Sequence, residues 1–207
     1  MDSYITIKQT AEYYFEDRKS EFYGFAKPID TESEAIDFIN AVKKKYPDAR
    51  HWVYAYVLRE NSVMRYTDDR EPQGTAGMPV LDALRKNGVT NAVIVVVRYF
   101  GGILLGTGGL VHAYSEAALG ALRNAVIIKY STYARLEMSL SYADFQKTPM
   151  LFKKYDFATE DTEYYESVKI IGSVIADSYD EFVKELSEAT SGRSNIVLLE
   201  KKFDFRE

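Results

Sequence analysis

Ala92-Val93-Ile94-Val95-Val96-Val97-Arg98-Tyr99-Phe100-Gly101-Gly102-Ile103-Leu104-Leu105-Gly106-Thr107-Gly108-Gly109-Leu110 decides how this 207-residue chain is read. Ala92–Val97 is apolar at every position, without the alternation of a half-wet strand, so it predicts a strand covered on both faces. Five glycines in the nine positions Gly101–Gly109 then make a turn. From about Leu110 to Asn124, Ala113, Ala117, Ala118, Gly120 and Ala121 give a helix whose small residues let its backbone lie close to a sheet. A buried strand, a glycine turn and a small-residue helix form the centre of the fold.

Upstream, residues 9–30 read as two β segments around the charged turn Glu16-Asp17-Arg18-Lys19. Thr31-Glu32-Ser33-Glu34 is a capping box. Ala35, Ile36, Phe38, Ile39 and Val42 follow at helical spacing, Lys43–Lys45 suit the C-terminal end of the dipole, and Pro47 stops the helix. His51–Leu58 is a strand, Asn61–Gly77 a loop, and Met78–Lys86 a short helix that Thr75 is placed to cap. Downstream the pattern changes near residue 131. Tyr133–Tyr142 alternates, with Leu136, Met138 and Leu140 on one face. Asp144–Tyr155 reads as a helix with Pro149 near its start, Phe157–Thr162 and Tyr164–Ala176 as strands, and Ser178–Thr190 as a helix, and Ile196–Leu199 begins a last strand. The order βαββαβ predicts a ferredoxin-like domain. The expectation is an α+β protein with domains at 1–131 and 132–207.

The bulk properties narrow the function classes. Apolar residues make up 46% and charged residues 28%, which fits a folded domain and argues against disorder. The chain has no cysteine, which excludes thiolate metal sites and cysteine nucleophiles and fits a reducing cytoplasm. The N-terminal stretch lacks the basic and apolar regions of a signal peptide, and no run approaches the ~18 apolar residues of a membrane span. A cytoplasmic protein without membrane contact is expected. Residues 1–130 carry 16 Lys+Arg and 16 Asp+Glu, whereas residues 131–207 carry 10 and 15. The first part is therefore the better surface for nucleic acid.

Two constellations could carry chemistry. In the glycine turn, exposed backbone N–H groups of Gly101, Gly102, Gly106, Gly108 and Gly109 at a helix start favour an anion. Thr107 is placed to cap that helix, and Arg98 could supply a charged fork. The spacing is neither a P-loop, since no lysine follows Gly106, nor G-x-G-x-x-G. Packing alone would equally explain the glycines. The second constellation is Asp68, Asp69 and Glu71, which could hold Mg²⁺ or supply a general base, or could simply form an acidic turn. His51 lies on a strand. His112 stands four residues before Glu116, within reach of an i,i+4 pair. Two histidines far apart make a weak zinc set, no serine lies in a nucleophile elbow, and no catalytic residue, metal or cofactor is assigned. Tyr13-Tyr14, Tyr54, Tyr56 and Tyr164-Tyr165 fit strand packing or base stacking.

These stretches together resemble the signature of the YigZ/IMPACT family. Arg98–Ile103 and Leu105–Val111 look like its central motif. Lys19-Ser20-Glu21-Phe22 looks like its K-S-x-F entry, and Pro47-Asp48-Ala49-Arg50-His51 like its P-D-A-x-H stretch. Asp68-Asp69, Glu71-Pro72 and Gly74-Thr75-Ala76-Gly77 look like its D-D-G-E-P-S-G-T-A-G segment. The resemblance spans about residues 18–125 and marks a bacterial two-domain member. It implies a first domain similar to the second domain of small-subunit ribosomal protein five and a ferredoxin-like second domain. Its eukaryotic branch is linked to control of translation initiation. Arg70, Gln73 and His112 depart from the usual glycine, serine and arginine, and the last departure weakens a phosphate grip and makes it pH-sensitive. The expected function is a non-catalytic cytosolic binding protein, associated with RNA, the ribosome or a translation protein through Arg98–His112. The rivals are a metal-assisted hydrolase or transferase on a phosphorylated small molecule, and a protein-interaction module using the acidic second domain.

Overall fold

The computed structural model describes residues 3–206. The chain divides into two compact units, Tyr4–Lys129 and Tyr130–Arg206, and is mixed α+β with an antiparallel sheet in each.

After a short strand β1 (Tyr4–Ile7), the first unit builds a sheet from β2 (Ala11–Asp17), β3 (Ser20–Pro28), β4 (His51–Val57), β5 (Met64–Thr67) and β6 (Ala92–Tyr99). The strand order is β2-β3-β6-β4-β5. β6 is the middle strand, antiparallel to β3 and β4, with His51 opposite Arg98. All six residues of Ala92–Val97 are fully buried, for the reason the apolar run predicts. Ala92, Ile94 and Val96 pack under the helices α2 (Gly77–Lys86) and α3 (Gly106–Ala125). Val93, Val95 and Val97 face the other side, where α1 (Glu32–Lys45) packs through Ala35, Ile39 and Val42. The small residues of α3 let it rest directly on the sheet: a Cβ on Gly24 of β3 would overlap the carbonyl of Ala117.

The helix starts differ from one another. Thr31 caps α1 by accepting from the Glu34 N–H at 3.2 Å, and the Glu34 carboxylate accepts from the Asp30 N–H at 2.7 Å. Thr75 does not cap α2, because its hydroxyl donates to the Pro72 carbonyl at 2.6 Å. The carboxylate of Asp68 fills that helix start instead, accepting from Gly77 at 2.8 Å, Ala76 at 3.1 Å and Gly74 at 2.9 Å. Thr107 does not cap α3 either. The helix begins at Gly106, four residues earlier than the apolar pattern predicts, so Thr107 lies inside it; Leu105 occupies the cap position and offers no side-chain hydrogen bond. A cap must precede the first helical residue.

In the second unit β7 (Ile127–Leu140) enters from the first, followed by α4 (Tyr142–Phe145), α5 (Thr148–Lys154), β8 (Ala158–Tyr164), β9 (Val168–Ile175), α6 (Tyr179–Ala189) and β10 (Asn195–Arg206). The sheet runs β1-β7-β9-β8, and β10 also pairs with β7. Leu136, Met138 and Leu140 are buried with Ile170, Phe182 and Leu186, as the alternation predicts. The helix expected over Asp144–Tyr155 is broken in two, with Pro149 in the first turn of α5, where its missing N–H costs nothing. Asp144 is almost fully buried and clasps the break. It accepts from Ser141 at 2.9 Å, from Lys147 at 2.8 Å, and from Arg193 at 2.8 and 3.1 Å. Arg193 first, then Lys147 and Ser141, hold its carboxyl well below the usual range. The last strand, which Ile196–Leu199 was expected to begin, runs for 12 residues from Asn195.

Candidate functional site

A cleft of ≈ 400 Å³ opens where the end of β6, the start of β4, the Glu71-Pro72 turn and the start of α3 meet. Its floor is a buried polar network centred on Glu71. The Oε1 atom of Glu71 accepts from Arg98 Nη1 at 2.6 Å and from the Tyr114 hydroxyl at 2.8 Å. The Nε2 atom of His51 stands 3.6 Å from the same oxygen, and its Nδ1 atom lies 2.8 Å from the Asp69 carbonyl. With Nδ1–H donating to that carbonyl, Nε2 is the nitrogen turned toward Glu71. Burial first, then the charge of Glu71, pushes the Tyr114 hydroxyl well above its ordinary value, so it stays a neutral donor.

Arg98 is therefore not the exposed charged fork that its position beside the glycine turn suggests. It is 4% exposed and its charge is matched by Glu71. Nη2 lies 3.4 Å from the Ser20 hydroxyl, which also accepts from the Gly101 N–H at 3.2 Å. The guanidinium carbon sits 5.5 Å from the Phe22 ring centre and 5.6 Å from that of Phe100. Nε has no hydrogen-bond partner. Arg98 thus ties the strand end, the β2–β3 hairpin and the acidic loop together beneath the cleft.

The three carboxylates do not converge. Asp68 is spent on the start of α2, and Asp69 accepts from the Trp52 N–H at 2.7 Å. Asp69 and Arg70 have φ of 41° and 69°, so the tight turn sends successive side chains in different directions. Only Glu71 reaches the cleft. Among the described residues no three His, Cys, Asp or Glu side chains are grouped to hold a metal ion.

The glycines divide by cause. Gly101 packs on the hairpin turn so closely that a Cβ would overlap the Lys19 backbone. Gly102 and Gly106 have φ of 84° and 74°. Gly109 already has Leu105 Cβ at 3.0 Å from where its own Cβ would lie. Gly108 alone among these five has neither constraint: it is exposed, its φ is not positive, and nothing lies within 4 Å of where its Cβ would be. Beside it the first amides of α3 lack any side-chain cap. The turn also carries exposed Phe100, Ile103 and Leu104, the last at 81%.

His112 is exposed on α3, edge-on to Phe15 at 6.3 Å, and does not line the cleft. Glu116 is taken by Tyr13 at 2.9 Å and Arg123 at 2.8 Å, not by His112. Two exposed cations that sequence reasoning did not assign to the site are Arg50 and Arg70. Arg50 lines the cleft, and together with Arg70 it borders the adjoining depression. Neither makes an ion pair among the described residues. Arg50 precedes His51, which pairs with Arg98 across the sheet; that register was the missing signal.

The sequence model of the Impact N-terminal domain matches residues 18–122, which span every element of this cleft. The chain belongs to the IMPACT family. A second model, described as a domain of unknown function, matches residues 138–193. The IMPACT family member YvyE of Bacillus subtilis (strain 168) is 33% identical over 197 residues, covering 95% of this chain and 91% of that protein. The IMPACT family member YigZ of Escherichia coli (strain K12) is 30% identical, with coverage of 97% and 100%. A crystal structure titled as that of a hypothetical protein is also 30% identical, superposes with a TM-score of 0.60 and covers 97% of this chain and 98% of its own. With the Saccharomyces cerevisiae protein IMPACT homolog the match covers only 52% of this chain and 43% of that protein, at 30% identity. YvyE and YigZ thus align with this chain over nearly its whole length, and the Saccharomyces cerevisiae protein over about half of it. No helix among the described residues is long and apolar enough to cross a membrane.

Proposed function

We propose that this IMPACT-family protein is a cytoplasmic binding protein that takes RNA phosphate, free or within the translation apparatus, at the start of α3. The carrying observation is the open first turn of that helix. Its amides have no side-chain cap, and Gly108, which no neighbour requires to be glycine, leaves room for a backbone to approach. Arg50 supplies charge at the same cleft, and Arg70 adds to it across the adjoining depression that Arg50 also borders. Binding fits better than catalysis because the Glu71 oxygen at the cleft floor is already engaged by Arg98 and Tyr114.

The test is fluorescence anisotropy with a labelled single-stranded RNA at low and moderate salt. Arg50→Glu with Arg70→Glu is expected to weaken binding at least tenfold and to flatten the salt dependence, since each phosphate contact on a single strand contributes a slope of roughly −0.7. A parent protein that binds no RNA at low salt, or a variant that binds as well as the parent, overturns the reading.

The exposed Phe100, Ile103 and Leu104 favour a protein surface as a second element of the target. Leu104→Asp then lowers cosedimentation with ribosomes while leaving binding of the RNA oligomer intact. Equal loss of both assigns the apolar turn to the RNA itself.

A further inference from the structure

α1 packs on one face of the first sheet through Ala35, Ile39 and Val42 and ends at Lys45. Where it ends, the chain already shows how this face treats a positive charge. The Lys45 ammonium lies 5.4 Å from the Phe25 ring centre and 5.3 Å from that of Tyr46, and it pairs with the Glu12 carboxylate at 2.9 Å. Glu12 of β2 stands directly opposite Phe25 of β3. A cation held by one carboxylate and two aromatic rings is thus an arrangement the surface uses for its own lysine.

Farther along the same two strands the arrangement recurs without a cation. Tyr14 stands opposite Tyr23, with ring centres 5.1 Å apart, and Glu16 stands opposite Glu21. Tyr99 of β6 is opposite Glu21 on the other side, and its ring centre lies 6.1 Å from that of Tyr23. All three hydroxyls donate to carboxylates: Tyr14 to Glu16 at 3.2 Å, Tyr23 to Glu21 at 2.8 Å and Tyr99 to Asp48 at 2.9 Å. Like charges directly opposite on adjacent strands destabilise a sheet. Yet Glu16, Glu21 and Asp48 have no ion pair among the described residues. Arg18 and Lys19 are exposed in the hairpin turn without pairing to either glutamate, and Arg50 and Arg70 border the depression that Asp48 lines. The uncompensated charge therefore centres on the Glu16–Glu21 pair.

We infer that this patch takes an arginine side chain of a partner polypeptide, its guanidinium lying against the tyrosine rings and bonded to Glu16 and Glu21. A guanidinium supplies what the patch lacks: a planar charge that stacks on aromatic rings and carries enough forked donors for two carboxylates. A lysine ammonium is a compact, strongly hydrated point charge and matches the pair less well. Tyr14 is 51% exposed, and Glu16 and Asp48 are exposed, so the patch is an open surface. Small free ligands are held in clefts that bury most of their area, whereas open surfaces rich in tyrosine anchor side chains of another protein. RNA is the wrong occupant, because its phosphates would meet three carboxylates. The inference does not rest on the anion site at α3.

Fluorescence anisotropy of labelled Gly-Arg repeat peptides with the full chain tests it, with Gly-Lys repeats of equal length for comparison. The arginine peptide is expected to bind saturably at low salt and several-fold tighter than the lysine peptide. Glu16→Gln with Glu21→Gln removes the opposed charges and keeps side-chain size, so this variant melts no lower than the parent. It binds the arginine peptide more weakly, by about tenfold or more. Tyr14→Leu also weakens the arginine peptide and narrows its lead over the lysine peptide. Asp161→Asn with Glu163→Gln, on the acidic strand β8 of the second unit, leaves binding unchanged. No saturable binding, equal affinity for the two peptides, or undiminished binding by the Glu16 and Glu21 variant overturns the proposal. So does a loss of binding in the β8 variant instead, or saturable binding of free arginine over the same concentration range.

Discussion

α2 and α3 begin within one unit and lie on the same face of the same sheet, yet their first turns are treated in opposite ways. At α2 the Asp68 carboxylate takes three amides, so the positive end of the helix is neutralised by the chain itself. At α3 no side chain among the described residues does this, and the first turn is built from glycine and threonine, with exposed Arg50 lining the same cleft. The two sites have the same electrostatic demand and differ only in who meets it. That difference is what the proposed anion site at α3 rests on.

The largest expected effect tests whether the floor of the open end is structural. Glu71 and Arg98 are both 5% exposed at the side chain. Removing one partner of a buried pair leaves an uncompensated charge, at a cost of ~3–5 kcal/mol. Arg98→Ala is therefore expected to lower the urea midpoint sharply. If stability is unchanged, Arg98 is not holding the strand end, the hairpin and the acidic loop together. The filled end comes next. Asp68→Ala frees three amides at α2, and a lost cap costs about 0.5–2 kcal/mol. RNA binding should be little changed, because Asp68 does not line the cleft. A variant that gains a second anion site at α2 would sharpen the contrast further.

The second unit offers a milder form of the filled arrangement. Asp144 is clasped by Arg193 and Lys147, whose own side chains are 57% and 50% exposed and so partly screened. Its folded pKa lies below the unfolded value, so the clasp contributes stability above about pH 4 and loses it as the pH falls toward the folded value. Asp144→Asn is expected to flatten the acid limb of the stability–pH curve while changing little at neutral pH beyond the lost pair. An unchanged acid limb would show that the clasp is not formed in solution.

How much of this was written in the sequence depends on whether the cause was local. Ala92–Val97 could be read because burial on both faces leaves no polar position, and the cap at Thr31 because both partners lie within four residues. Arg98 could not be read correctly. Its partner Glu71 is 27 residues away, and only the crossing of β6 beside β4 brings the acidic loop over it. The same holds for Arg50, which looks like any exposed arginine until the β4–β6 register sets it beside Arg98. Thr107 failed for the opposite reason: the local cap pattern was present, but the helix started one residue before it. The glycine turn was legible as the link from β6 to α3, whereas the reason for each glycine was not.

Gly108→Ala gives the smallest effect and the most discriminating one. Alanine is favoured over glycine inside a helix by up to ~1 kcal/mol, and here nothing lies within 4 Å to oppose the added methyl. If the fold alone governed this position, the substitution would raise stability and leave every other property untouched. If the open turn of α3 exists to admit a phosphate backbone, the same methyl stands in its path. The expected result is therefore a pair of opposite changes: a slightly higher melting temperature and weaker RNA binding, with Gly108→Val weaker still. A more stable protein with undiminished affinity would mean that the ligand does not approach over Gly108. The contrast between α2 and α3 would then reduce to a difference in capping alone.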